Sequence, residues 1–110
     1  MVSVIFYKKN NSYYRVECFG HAGDAPAGEN IVCAAVSALV INCFNSVEKF
    51  TDDFVSSETS KDGITSLQLK ENCSNDATIL VKSLEFGLKE ISRDNRQYLN
   101  FLHMGLKVND

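Results

Sequence analysis

Two short runs rich in β-branched and aromatic residues open the chain, VSVIFYK (Val2 to Lys8) and YYRVECFG (Tyr13 to Gly20), with Asn10-Asn11-Ser12 between them. Runs of this composition flanking a polar turn predict a β-hairpin. Strict alternation in the second run puts Tyr14, Val16, Cys18 and Gly20 on one face and Tyr13, Arg15, Glu17 and Phe19 on the other.

The pattern then changes period. From Asn30 to about Phe54 it is helical, with Asn30 or Glu29 as the expected cap and an alanine-rich, nearly all-apolar first half that must be covered on several sides. Beyond Ile41 the polar Asn42, Asn45, Glu48, Lys49 and Asp52 supply an exposed face, while Phe44, Val47, Phe50 and Phe54 continue the buried one. Asp62-Gly63 is a strong turn signal ahead of an alternating run in which Ile64, Ser66, Gln68 and Lys70 oppose Thr65, Leu67 and Leu69. NDATILVKSLEFGLKEISRDN reads as a second, amphipathic helix with Ile79, Leu80, Leu84, Leu88 and Ile91 inward, and YLNFLHMGLKV as a last strand.

The order is ββαββα(β), which predicts an α+β fold: an antiparallel sheet of four to five strands with two packed helices. With 110 residues, 45% of them hydrophobic, the chain is expected to form a single domain over residues 1–110. Its formal net charge of −3 disfavours direct nucleic-acid binding. The start of the chain carries no basic leader or small-residue cleavage site, and the apolar run Ile31 to Ile41 reads as too short to span a bilayer, so the expectation is a cytoplasmic protein without a membrane partner.

Four cysteines without a secretion signal are expected to be reduced thiols. Cys18, Cys33, Cys43 and Cys73 show no CxxC or paired metal-ligand spacing, so no metal is expected. Cys18 and Cys43 fit buried, inert positions, Cys73 an exposed thiol, and His103 a structural or surface histidine.

Chemistry concentrates in FGHAGDAPAGENIVCAAVSAL, residues 19 to 39. Cys33 falls in the expected first helical turn, where unpaired amides and the helix dipole favour a thiolate. His21 precedes it on a loop in which Gly20, Gly23 and Gly28 permit the chain to fold back. A loop of this length is suited to covering a substrate site. Cys33 could equally be a small apolar side chain in an alanine-rich helix, with His21 a polar strand end. Ser37, one turn after Cys33, could bond near the thiolate or back to its own helix; Asn30 could orient His21 or cap the helix.

GHAG followed by GENIVCAAVSAL resembles the signature of the bacterial ribosomal-processing cysteine protease family called Prp, in which a GHA motif and a helix-starting D-I-V-C-A-x-x-S motif supply a His and Cys pair. The resemblance implies Cys33 as nucleophile, His21 as base and then acid toward the leaving amine, Ser37 as the family's helix serine, and Gly20, Gly23 and Gly28 in the substrate loop. It also implies a homodimer without cofactor. The implied substrate is the precursor of the large-subunit ribosomal protein L-twenty-seven, from which an N-terminal extension is removed during ribosome assembly. The sequence departs from the pattern at Asn30, where an acidic residue is usual.

Two other readings stand beside the protease. One is a non-catalytic ribosome-assembly or peptide-binding protein of the same fold, motivated by Asn30. The other is a redox protein using Cys33, against which the sequence offers no nearby resolving cysteine.

Overall fold

Asn10 and Asn11 both take positive φ, 52° and 66°. Two successive left-handed residues turn the chain with the twist a tight hairpin needs, and they join β1 (Val2–Lys9) to β2 (Ser12–Phe19) with Lys9 opposite Ser12. The computed structural model describes residues 2–20, 27–94 and 102–109. After β2 come α1 (Ala27–Phe50), β3 (Phe54–Thr59), β4 (Thr65–Leu69), α2 (Asn75–Asp94) and β5 (Leu102–Asn109). The expected α+β class and element order hold.

The five strands form one sheet in the order β3-β4-β2-β1-β5. All neighbours are antiparallel except β1 and β5, which run parallel, so the sheet is mixed. The parallel pair follows from connectivity. β4 is antiparallel to β2 and β2 to β1, so β4 points the same way as β1; α2 then carries the chain back as a crossover and β5 starts in the direction of β4. A helical crossover of this kind joins parallel strands, and α1 does the same between β2 and β3. The two crossovers step in opposite directions from oppositely directed strands. Under the right-handed rule both helices therefore lie on one face of the sheet.

That face is the core. Val2, Val4, Phe6, Tyr13, Val16, Leu67 and Leu69 of the sheet meet Val32, Val36, Val40, Phe44 and Val47 of α1 and Ala77, Val81, Leu84 and Leu88 of α2. Tyr13 departs from the strict alternation expected of β2. A register shift leaves Tyr7 opposite Arg15 but Lys8 opposite Tyr13, a bulge that turns Tyr13 inward to meet the Phe6 ring edge-on at 6.1 Å. The two helices approach closely where Gly87 faces Leu39; a Cβ at 87 would lie 3.0 Å from Leu39 Cδ1.

The opposite face is polar. Tyr7 donates its hydroxyl to Glu17, Arg15 donates to Glu17 through Nε and Nη2 at 3.2 and 3.1 Å, and Arg15 Nη1 reaches Gln68 Oε1 at 3.1 Å. These four residues are cross-strand neighbours on β1, β2 and β4 or diagonal to one another.

Several expectations for the helices need correction. α1 begins at Ala27, so Asn30 lies in its first turn rather than at its cap, and it ends at Phe50. Phe50 and Ile79, both expected inside, are 70% and 63% exposed. On α2 the buried stripe is Ala77, Val81, Leu84 and Leu88, and a nearly equal supply of apolar residues beside it hid which edge faced inward. The 20-residue segment Ile31–Phe50 also contains an 18-residue window with a mean hydropathy of 1.7, enough in length and composition to cross a membrane, which a reading confined to the run ending at Ile41 did not reveal. Here its inner stripe is the core of the sheet-and-helix sandwich.

Ser74 caps α2. Its Oγ accepts the Ala77 amide at 3.2 Å while donating to Asp53 Oδ2 at 2.5 Å, and Asp53 also accepts the Ser74 amide.

Candidate active site

Cys33 is the seventh residue of α1 and belongs to its second turn. This corrects the first-turn position expected from sequence: with the helix starting at Ala27, the amides that lack intrahelical partners lie a turn earlier. The dipole effect fades beyond the first turn, so helix-start activation of this thiol loses its geometric basis. What remains is placement. Cys33 is 8% exposed, at the margin of the core between the buried Val32 and Val36, while Ala34 and Ser37 on either side face solvent. The thiol thus sits on a rigid helix where a core edge meets the surface.

The connection between β2 and α1 spans residues 20–26, shorter than expected because Gly28 is already helical. Gly20 leaves β2 with φ of 91°, a conformation costly for any residue bearing a Cβ. His21 and Gly23 lie outside the described residues. Asn30 stands in the helix one turn before Cys33, and Ser37 one turn after it.

The four cysteines are all thiols. Cys43 is buried and donates to the Leu80 carbonyl at 3.6 Å; burial pushes its pKa up to about 12, which makes it inert as expected. Cys73 is half-buried rather than exposed, because its thiol donates to the Tyr13 carbonyl at 3.4 Å and lies 3.5 Å from Thr78 Oγ1. Cys18 lies opposite Val4 on the helix-facing side of β2 and packs against the cluster that contains Cys33. Burial raises its pKa, and the charge of Cys33 raises it further. A second thiol therefore stands near Cys33, which sequence separation concealed. The signal was available in the alternation of β2, which already put Cys18 on the face of Val16. Among the described residues no group of three or more His, Cys, Asp or Glu could hold a metal ion. His103 is in β5.

Solved structures share the whole fold. SMU.848 from Streptococcus mutans superposes with a TM-score of 0.83 at 24% identity, covering 99% of this chain and 96% of that one. The essential ribosomal processing protease Prp from S. aureus, in complex with a covalently linked product peptide, gives 0.80 at 19% identity over 97% of this chain and 100% of that one. The same S. aureus protease with a substrate peptide gives 0.79 at 17% identity, covering 99% and 100%. No curated protein matches the chain. The match that decides the family is by sequence: residues 1–100 fit the model of the family described as Cysteine protease Prp, and the chain belongs to that family of cysteine proteases.

Proposed function

We propose that the protein is a cysteine endopeptidase in which Cys33 is the nucleophile and His21 the base, and that it removes the N-terminal extension of the ribosomal protein L-twenty-seven precursor. The observation that carries this reading is the position of Cys33 within the family match, at the exposed margin of the core on α1. The S. aureus relative, solved with substrate peptide and with a covalently linked product peptide, supports a peptide substrate and a covalent step.

In the mechanism, His21 takes the thiol proton and the Cys33 sulfur attacks the scissile carbonyl. The tetrahedral intermediate expels the amine, which receives the proton from His21, and water hydrolyses the thioester to release the carboxylate and restore the thiol. Gly20 and Gly23 give the chain before α1 the freedom to lie over an extended peptide, while Gly28 stands in the first turn of α1 and Ser37 borders the same helix. No cofactor takes part.

A homodimer is part of the proposal. Ile31, Ala34, Ala38 and Ile41 are all exposed, 31 and 41 at 64% and 56%, and they recur at alternating steps of three and four along α1. That spacing makes a continuous apolar seam of the kind two helices share. It also leaves uncovered one of the sides on which α1 was expected to be covered. We place the dimer in a reducing, cytoplasmic setting, with neither membrane nor nucleic acid as partner.

The test is incubation of the purified protein, and its Cys33→Ser and His21→Ala variants, with the extended precursor, followed by intact-mass analysis. One truncation that vanishes in both variants is expected. Cleavage retained by Cys33→Ser would overturn the proposal. Asn30 favours a second reading, binding without turnover; an unchanged precursor bound tightly by the natural chain and cleaved by Asn30→Asp would support it.

A further inference from the structure

We propose that Cys18 is the resolving partner of Cys33, so that peroxide converts the pair into a reversible disulfide between β2 and α1. The inference rests on the reading of Cys33 as the reactive thiol. Its geometric basis is the shared core layer. Cross-strand pairing of Cys18 with Val4, which is fully buried, fixes the Cys18 side chain on the face covered by the helices. Cys33 belongs to the cluster on that face, and Cys18 packs against the same cluster. The other two thiols are engaged elsewhere, Cys43 with the Leu80 carbonyl and Cys73 with the Tyr13 carbonyl and Thr78.

The chemistry balances in two steps. The Cys33 thiolate attacks one peroxide oxygen, the O–O bond breaks, and with one proton the products are Cys33 sulfenic acid and water; the sulfur has lost two electrons to the peroxide. The Cys18 thiol then attacks the sulfenic sulfur. Its proton and the sulfenic OH leave as a second water, and the S–S bond forms. Burial raises the pKa of Cys18 and so favours its thiol form in the resting protein. Two equivalents of an external thiol restore both cysteines. The arrangement spares the nucleophile from passing on to the irreversible sulfinic state.

The full chain is exposed to hydrogen peroxide, quenched with an alkylating reagent, and analysed by intact mass and by peptide mapping, with precursor cleavage followed in parallel. The wild type is expected to become two hydrogens lighter, to keep two alkylatable thiols, to show a cross-linked Cys18 and Cys33 peptide pair, and to regain all lost activity on addition of dithiothreitol. Cys18→Ala and Cys18→Ser are expected to gain two oxygens on Cys33 and to stay inactive after reductant. Mapping of the wild type needs no variant to fold, and a sulfinic Cys33 beside an alkylatable Cys18, or a cross-link joining other cysteines, would overturn the proposal. The cross-link in a protein that never cleaves the precursor would support the pairing while sinking the protease reading. Normal cleavage without the cross-link would do the reverse.

Discussion

Leu88 and Ile79 lie on the same helix, nine residues apart, and differ in burial from 0% to 63% exposed. Truncating each to alanine tests which edge of α2 faces the sheet. Leu88→Ala deletes three carbons from a site closed on all sides, and such changes cost roughly 3 to 5 kcal/mol when the transfer and cavity contributions are added. At about 4 to 8 °C per kcal/mol for a domain near this size, the melting temperature falls by about 12 °C or more. Ile79→Ala gives up only about a third of a side-chain burial, on the order of 0.5 to 1 kcal/mol. Alanine's higher helix propensity returns about 0.4 kcal/mol of that. The net change is within about 0.5 kcal/mol, a shift of a few degrees at most. Thermal and urea unfolding of both variants, with the urea slope unchanged so that the midpoint reports stability, measure the contrast. Equal losses at the two positions would refute the assigned orientation of α2.

Other changes test the cap, the exit from β2 and the outer face. Ser74→Ala should lower stability by about 1 kcal/mol in urea unfolding, because Ala77 loses its capping acceptor and Asp53 one of its two donors, the Ser74 amide remaining; Asp53→Asn, which keeps an acceptor, should cost less. Gly20→Ala forces a Cβ into φ of 91° and should cost about 1 to 2 kcal/mol by the same measurement. Tyr7 has its pKa raised to about 12, first by the hydrogen bond to Glu17 and then by burial, so its contribution is complete below the free value near 10 and is lost between about 10 and 12. Glu17 is lowered, first by the same bond and also by Arg15, so its contribution is present above 4.5 and fades as pH falls through the lower folded value. Tyr7→Phe should therefore flatten both limbs of the stability profile and remove one late-ionising phenolate from the ultraviolet titration, in which Tyr13, raised to about 12 chiefly by burial, remains.

The parts of the fold that were legible in sequence are those set by local chemistry. Asn10-Asn11 announces a turn through backbone preference, Gly63 does the same between β3 and β4, and the alternation in β4 places Leu67 and Leu69 inward. The inner face of α1 was only partly legible, since a helix apolar nearly all round gives no contrast from which to choose a side, and Phe50 proved exposed. The start of α1 was misplaced because Asn30, a good capping residue, stands inside a helix that begins three residues earlier. The parallel direction of β5 was invisible locally, as it depends on how many strands the chain crosses before returning. For the site, the motif revealed Cys33 and nothing of Cys18, since the latter is a property of the strand pairing and helix packing that bring two turns of chain together.

The parallel pairing of β1 with β5 sets a timetable for the chain. Val2 finds its partner at Leu102, and the pairing continues to Lys9 and Asn109. Once made, β1 can form its hairpin with β2 within microseconds, yet its other hydrogen-bonding edge stays vacant until β5 (Leu102–Asn109) has been made. At about 5 to 20 residues per second this is an interval of several seconds, during which a strand with Val4 and Phe6 at its heart is open to pairing with other chains. β5 is thus both the last strand and the closure of the sheet's most exposed nascent edge.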